Sequence, residues 1–390
     1  MDVQYFTGQG GIIGNIASVT LVVGGVLTVT SSAASGGYQV GQAIRVSGTL
    51  TAGTINGTAN YTTPVTFYII QVTSATSITI SATPGGAAVT TTAGTATPGG
   101  VFTLSTQWQT WRKPRGVKNV YMIGVGGGAS GAVGVNTVAA GTGGEGGPSG
   151  GQTCVWIPAF FVPDVMYIQC GAGGRHPATL VSGQGPQGGG PTYVAIEPSS
   201  TLTANVTVLL ANGGQANGLG GTVAPPTGMP LAGRGNYTFF VGQTGAAGGA
   251  TQVSGTSVAY PVTGLMVMAG AGGGGQTDSV GGVGGGYTVP AGVPTNDFFL
   301  PTQTGGIAAA GATPAGAGRD GIIVRNFIMN YGGQGGGGAS STAGGQAGAG
   351  GNGAPGSGGG GSGGSTNTAG ANTLARPGNG GDGFVIIMSW

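Results

Sequence analysis

The chain has 390 residues, of which 94 are glycine and 21 are proline, and its ten basic and eight acidic residues give a formal net charge of +2. Only 5% of the residues are charged and 39% are hydrophobic, whereas disordered chains combine low hydrophobicity with many charges. The glycines follow no strict triplet repeat, which excludes collagen. The composition therefore predicts an ordered protein in which backbone hydrogen bonds replace many of the usual side-chain contacts.

The first part of the chain is rich in Thr, Val, Ile, Ser and Ala. Residues 19–30, VTLVVGGVLTVT, predict two short strands joined at Gly24 and Gly25, a two-residue hairpin turn. Further β-branched runs predict strands at 43–50, 65–72 and 77–82. No window has helical periodicity. We therefore expect an N-terminal arm at residues 1–18, followed by a small antiparallel β-sandwich or β-roll at residues 19–105.

Residues 40–86 contain the phrases VGQAIRVSG and VTFYIIQVTSATSITISATPGG. They resemble the short β-modules of virion proteins from tailed bacteriophages, in which a hairpin pattern ends in an ATPGG-like turn. This resemblance implies a component of a virus particle. Threonine-rich β-modules of bacterial surface proteins are the alternative.

Glycine dominates the second part of the chain, residues 106–390. This part opens with two tryptophans and a Lys-Pro pair, runs through NVYMIGV into GGG, and closes with GGDGFVIIMSW. The pairing resembles the glycine-rich domain of phage tail-fibre and adhesin proteins, which implies that the first and last strands close one domain. The residues that carry the resemblance are Trp108, Trp111, Lys113, Pro114, Gly116, Asp382, Phe384 and Trp390. Asp382 is also expected to cap the turn into the final strand.

Apolar strands alternate with glycine blocks between these ends. Strands are expected at 153–158, 166–170, 192–196, 204–210, 237–241, 263–269 and 321–329. The block 332–364 has too many glycines for a sheet core. An ordered glycine run suits the extended left-handed helix with three residues per turn, whose backbone groups pair with neighbouring segments. Composition permits such polyglycine II packing and the resemblance implies it, while a flexible linker is the alternative at 356–364.

No arrangement of residues points to catalysis. His176 is the only histidine, and no motif pairs the eight carboxylates for acid or base chemistry. Matches to GxGxxG follow from glycine abundance and lack the strand and helix context of a nucleotide site. The basic residues within 112–118 are interpreted as a solvated turn. We therefore predict no enzyme activity, no cofactor, no metal ion and no nucleic-acid partner.

The two cysteines, Cys154 and Cys170, lie on expected strands on either side of residues 158–163. A symmetric hairpin centred near Val162 would place them opposite each other as a cross-strand thiol pair. The favoured interpretation is nevertheless two buried apolar cysteines, because a cytoplasm keeps thiols reduced, and the thiol pair is the alternative.

Aromatic and proline residues interrupt the glycine blocks. Most are expected in the core, but loops bounded by Pro and Gly suit contact with a receptor. The candidate surface-contact residues are Tyr287, Phe298, Phe299, Pro225 and Pro226.

The function expected from these features is that of a bacteriophage virion structural protein, a tail-fibre or tail-tip component that attaches to the host surface. The alternative is a capsid decoration, head-fibre or other virion-surface protein without receptor binding. Expected partners are other virion proteins and a bacterial glycan or outer-membrane protein, with a homotrimer favoured. Asp2 and the interrupted apolar run 12–29 fit neither a signal peptide nor a membrane span. We therefore expect synthesis in the bacterial cytoplasm without a leader, and a place on the virion surface.

Overall fold

A computed structural model gives the architecture of the chain. The residues it describes are 1–7, 18–22, 26–30, 43–49, 53–74, 77–83, 86–92, 94–96, 103–137, 140–175, 180–197, 206–222, 234–250, 253–259, 265–277, 281–288, 305–308, 315–324, 329–330, 332–338, 346–366 and 374–390.

The protein is all-β, as the sequence predicts. Its described residues contain no α-helix and a single short 3-10 turn, Ala159–Phe161. The strands are β1 (Asp2–Thr7), β2 (Ser18–Val22), β3 (Val26–Thr30), β4 (Ala43–Thr49), β5 (Thr54–Ile55), β6 (Asn60–Ser74), β7 (Ser77–Ser81), β8 (Thr91–Thr92), β9 (Gly94–Ala96), β10 (Thr103–Arg112), β11 (Asn119–Val125), β12 (Asn136–Thr137), β13 (Ala140–Gly141), β14 (Gln152–Pro158), β15 (Val165–Gln169), β16 (Thr192–Ala195), β17 (Thr207–Ala211), β18 (Asn236–Phe240), β19 (Val258–Ala259), β20 (Gln276–Thr277), β21 (Tyr287–Thr288), β22 (Ile323–Val324), β23 (Met329–Asn330), β24 (Ser365–Thr366) and β25 (Phe384–Ser389).

A ten-stranded sheet contains most strands of the first part, in the order β17-β16-β15-β10-β4-β6-β7-β3-β2-β9. The predicted hairpin is present, since β2 and β3 pair with Val22 opposite Val26. Strand β10 crosses position 105, pairing with β4 on one side and with β15 of the glycine-rich part on the other. The sandwich or roll expected at 19–105 stays a prediction.

A five-stranded antiparallel sheet brings the two ends of the glycine-rich part together, in the order β1-β25-β11-β14-β18. Strands β11 and β25 are neighbours, with Val120 opposite Ser389 and Val125 opposite Phe384. Strand β1, which lies within the expected N-terminal arm, pairs along the other edge of β25. The first strand, the last strand and the chain's N-terminal residues therefore share one sheet.

Alternation along β11 explains why this sheet has an apolar cluster on each face. Val120 and Met122 join Trp111, Met166 and Leu209 in a buried cluster between the five-stranded sheet and the ten-stranded sheet. Side chains of the opposite parity, such as Ile123 and Val125, pack on the other face against Leu265 and Val267. Residues 265–269 are not a strand, contrary to the prediction for 263–269.

The glycine blocks pack as a slab of extended segments whose hydrogen-bond partners repeat every three residues. Segment 357–364 is enclosed by six others, and the N···O distances are 2.7–3.1 Å. It donates to segments 268–274, 129–132 and 348–351, and accepts from 333–336, 144–147 and 378–381. A helix with three residues per turn turns each successive residue toward a different neighbour, so this pattern is that of packed polyglycine II.

The close approach of these segments requires glycine. A Cβ atom added at Gly128, Gly131 or Gly134 would lie 1.9–2.2 Å from a carbonyl oxygen of segment 357–364. These three positions share one face of segment 126–135, because they are three residues apart. Buried serines replace glycine where the hydroxyl takes over a bond: Ser362 Oγ accepts from Gly134 N at 2.9 Å and Ser130 Oγ from Gln187 N at 2.9 Å.

Candidate binding face

Residues three apart also define the exposed face of the slab. In segment 374–383, the backbone carbonyls of Arg376, Asn379 and Asp382 accept from residues 350, 353 and 356, which confirms the threefold repeat there. The side chains of these three residues therefore point the same way, at intervals of about 9 Å along the segment. Arg376 and Asn379 are exposed and Asp382 is partly buried. The adjacent segment presents Asn352 and Pro355 with the same spacing.

A ladder of side-chain bonds fixes these rows relative to each other. Asp320 Oδ1 accepts from the backbone N–H of Asn352 at 2.7 Å, and Asn352 Oδ1 accepts from the backbone N–H of Asn379 at 2.9 Å. Each bond joins one slab segment to the next. The amide of Asn379 comes at the end of this ladder and is exposed.

Two cavities lie side by side on this face and share Asn379. The larger, of about 410 Å³, is lined by Thr7, Arg175, Gly353, Pro355, Asn379, Gly380, Gly381 and Asp382. The smaller, of about 270 Å³, is lined by Ala349, Gly350, Asn352, Arg376, Pro377 and Asn379. We call the two cavities together the polar groove. Its walls are arginine, amide and proline side chains on a floor of glycine backbone.

Asp382 fastens the polar groove to a neighbouring glycine segment. Its Oδ1 accepts from Gly173 N at 2.7 Å and lies 3.7 Å from Arg175 Nη2. The carboxylate therefore binds a backbone N–H of a distant segment, and the cap on its own turn stays a prediction. Gly173 follows β15, so this bond fastens two glycine segments together.

Other residues that carry the resemblance to the glycine-rich domain lie at the opposite end of the five-stranded sheet. Trp111 is fully buried, and Lys113 Nζ donates to the carbonyls of Val162 at 2.8 Å and Ala159 at 3.3 Å, with Asp164 Oδ1 at 3.0 Å. Gly116 has a φ of +79°, a left-handed turn conformation that glycine adopts without strain.

The remaining residues that carry this resemblance range from buried to partly exposed positions. Phe384 is buried against Tyr5, with ring centroids 5.4 Å apart. The carbonyl of Trp390 accepts from Lys118 N and Asn119 N. Trp108 lies opposite Ala43 in the β4–β10 pair, and Pro114 is partly buried in the turn after β10.

The two cysteines do not face each other. Strand β14 pairs with β11 and β18, whereas β15 belongs to the ten-stranded sheet, so the predicted hairpin is wrong. Both thiols are free and buried, and they lie in different apolar clusters. Burial, and then the charge of Asp382, raises the pKa of the Cys170 thiol to about 12.

Tyr287 is not a surface-contact residue. It is buried in an apolar cluster with Val258 and Met268, because β21 pairs with β19 and turns its side chain inward. The other candidate loop residues, Phe298, Phe299, Pro225 and Pro226, lie outside the described residues, as does His176.

The residues of the polar groove carried a signal in the sequence. The segment RPGNGGDG has non-glycine residues at 376, 379 and 382, and a spacing of three within a glycine block marks one face of a threefold helix. Asp382 is the only residue of this row that was predicted from the sequence. Arg376 and Asn379 were missed because aromatic loops were taken as the signal of a binding surface.

Within the described part of the chain, no three His, Cys, Asp or Glu side chains are grouped as metal ligands. Nor does any helix there have the length and apolar character to cross a membrane. No protein-family model matches the chain, and no curated protein has a significant sequence match to it.

Proposed function

We propose that the chain is a bacteriophage virion structural protein, a tail-fibre or tail-tip component that attaches the particle to its bacterial host. The observation that carries this proposal is the packed polyglycine slab with the polar groove on its surface. Segment 357–364 is held by backbone bonds to six neighbours. Binding side chains are best held by such a rigid scaffold, because little ordering entropy is lost when a ligand arrives.

The distribution of charge supports a place outside the cell. Trypsin-like proteases cut after Lys or Arg, and the chain has only ten such residues. None of them lies in the slab segments 126–135, 140–151, 265–275, 332–338 or 357–364. A virion-surface location fits this composition. In this proposal the protein is made in the host cytoplasm and contacts other virion proteins.

The proposal is tested on intact particles and on host cells. Gold-labelled antibodies against the purified chain should mark the tail or its fibres in electron micrographs. Purified chain should bind host cells saturably and reduce adsorption of the particle, while the same chain unfolded and rapidly diluted should not. If the antibodies label the capsid and the purified chain does not reduce adsorption, the function is capsid decoration and not host attachment. Particles without label would overturn both functions.

Self-association as a homotrimer belongs to the same proposal. The outer edge of β1 is unpaired among the described strands, and Val3, Tyr5 and Trp390 are 53%, 50% and 45% exposed. Unpaired strand edges and grouped apolar side chains favour contact with another chain. Native mass spectrometry should give three times the chain mass, and a monomer at micromolar concentration would contradict the trimer.

A further inference from the structure

The turn Ala159–Phe161 presents an exposed phenylalanine at the end of the five-stranded sheet that lies away from the slab. The side chain of Phe160 is 90% exposed, and among the described residues only the terminal Met1 is a more exposed large apolar side chain. Phe161 packs partly against the apolar cluster between the two sheets, with its ring centroid 5.4 Å from that of Phe160. Phe160 can therefore contact a partner without any change of the fold.

Backbone hydrogen bonds and one ammonium group hold this turn in place. Ala159 N donates to the carbonyl of Lys118 at 2.8 Å, and Val162 N donates to that of Ala159 at 3.2 Å. Lys113 Nζ donates to the carbonyls of Val162 and Ala159. An aromatic side chain on a turn that is already fixed loses little conformational entropy when a partner binds it.

Three exposed cations surround the turn. Lys118 is bonded to it through its backbone carbonyl, and Arg115 lies three residues earlier, in the turn between β10 and β11. The guanidinium of Arg234 lies 5.0 Å from the centre of the Phe161 ring. None of these three cations forms an ion pair within the part of the chain that the structure describes.

The charges at this end of the sheet sum to a positive value. Lys113 and Asp164 form an ion pair at 3.0 Å, and Arg112 and Glu197 act with opposite signs on Tyr167. The cationic groups are the amine of Met1 and the side chains of Arg112, Lys113, Arg115, Lys118 and Arg234, and the anionic groups are the side chains of Asp2, Asp164 and Glu197 and the carboxylate of Trp390. Six positive and four negative charges leave a net charge of +2.

An anionic lipid surface matches both the aromatic side chain and the cations. A bilayer interface accepts aromatic side chains at the level of the headgroups, and Lys and Arg beside them meet lipid phosphates. A protein partner would need an apolar pocket with an acidic rim matched in shape to this turn. A nucleic-acid duplex would meet the cations but would leave Phe160 in water, because paired bases offer no free ring for stacking.

From these features we infer that the turn Ala159–Phe161 binds the surface of an anionic lipid bilayer. Phe160 enters the layer below the headgroups, while Arg115, Lys118 and Arg234 contact lipid phosphates. This inference rests on the proposed attachment function and names what the chain meets at the host surface. One aromatic side chain and three cations give weak, reversible binding, which several copies of the chain on one particle strengthen.

The test uses the full-length chain and vesicles of phosphatidylcholine, with and without phosphatidylglycerol, separated from free protein by flotation. The chain should float with the vesicles that contain phosphatidylglycerol, and added salt should weaken this binding. Phe160→Ala should weaken it about tenfold or more, because one large apolar side chain no longer enters the bilayer, whereas Phe160→Leu should keep most of it. Arg115→Ala combined with Lys118→Ala should also weaken it about tenfold or more.

Ile307→Ala and Arg319→Ala are the matched controls. Ile307 is 74% exposed and Arg319 is exposed, and the backbones of both bond to glycine-rich segments of the slab, away from this turn. Both controls should bind the vesicles as the original chain does. Unchanged circular dichroism and thermal midpoints must accompany each variant.

Each outcome decides the inference. Equal binding to vesicles without phosphatidylglycerol, binding that survives both turn variants, or an equal loss in the controls would overturn it. So would the absence of binding to either kind of vesicle. Inorganic phosphate that displaces the chain from vesicles would show a site for a single anion instead of a lipid surface. A DNA duplex that binds more tightly than the vesicles do would assign the turn to nucleic acid. If the vesicles fail while purified chain still blocks adsorption, the inference fails and the proposed attachment function stands.

Discussion

Glycine in this slab is required for space at individual positions. At Gly131, an added Cβ would lie 2.1 Å from the carbonyl oxygen of Gly360 and 2.8 Å from Gly361 N. All of the atoms it would meet are backbone, so no side-chain rotation relieves the clash. Gly185 is different, because nothing lies within 4 Å of its added Cβ and its φ is not in the left-handed region.

This contrast predicts unequal effects of the same substitution. Gly131→Ala should destabilise the protein by about 1–3 kcal/mol, the usual cost of overpacking. Gly185→Ala, the matched control, should change the unfolding free energy by no more than about 0.5 kcal/mol. Urea unfolding followed by circular dichroism measures both. Equal midpoints for the two variants would show that the slab opens to admit side chains.

Cys170 predicts how stability depends on alkaline pH. Burial raises the pKa of this thiol to about 12 from an ordinary value of 9.0. The folded thiol thus keeps its proton where the unfolded thiol loses it, so stability is fully present below about pH 9 and falls as pH rises toward 12. Over this range, each pH unit lowers the free energy of unfolding by about 1.4 kcal/mol, because one proton is bound in the folded state and not in the unfolded state. Unfolding in urea at about pH 8 and about pH 11 should show a smaller difference for Cys170→Ala than for the original chain; equal differences would contradict the assignment.

At the scale of elements, the position of each residue within the three-residue repeat of a slab segment decides which neighbouring segment that residue faces. Positions 357–364 face six different neighbours in turn, and only some of those faces tolerate a side chain. A Cβ at position 363 would meet the Gly337 carbonyl oxygen at 2.0 Å, whereas Ser362 and Ser365 occupy faces that accept serine. Positions 362 and 365 are three residues apart and therefore equivalent.

Insertions into segment 357–364 test the three-residue repeat directly. One glycine inserted after Gly360 moves the serine of position 362 to the crowded position 363. Three inserted glycines move it to position 365, which already holds serine. The longer insertion should therefore destabilise less than the shorter one, as measured by thermal unfolding. If the loss of thermal stability simply increased with insertion length, the three-residue repeat would be contradicted.

The sequence was informative about elements and much less so about their neighbours. Alternation and β-branched runs predicted β4, β14 and β18 within one or two residues at each end. The pairing of β1 with β25 was missed because residues 1–18 were expected to form an arm. In β1 the apolar Val3 and Tyr5 are exposed, while the polar Asp2 and Gln4 are half-buried, the reverse of the usual pattern. The thiol hairpin failed because it assumed that strands close in sequence pair. Glycine blocks are chemically alike, so nothing local specifies which six surround 357–364.

At the scale of the whole molecule, sheet and slab are one hydrogen-bonded unit. Strands β11 and β14 are continuous with slab segments 126–135 and 142–151, and segment 374–383 leads into β25. The five-stranded sheet thus sets the order in which its attached glycine segments enter the slab. Loss of the sheet would release several segments together.

Backbone amide hydrogen exchange tests whether the sheet and the slab open as one unit. The amides of segment 357–364 all donate to backbone carbonyls of other segments or, at Ser357, of its own turn. They should exchange only through large-scale opening, and with rates similar to those of β11. Exchange at the unprotected rate in 357–364 would instead identify a flexible linker, the alternative for this block.

The packing of segment 357–364 has a consequence for how the protein responds to temperature. Unfolding exposes apolar surface, which raises heat capacity, and peptide groups, which lower it. A slab made of glycine backbone exposes mainly peptide groups. The heat capacity change of unfolding should therefore fall below the usual value of about 12–15 cal/mol/K per residue, and calorimetry of the full chain measures it. A smaller change flattens the stability curve, so the fold should weaken less on cooling than a protein of the same size with an apolar core.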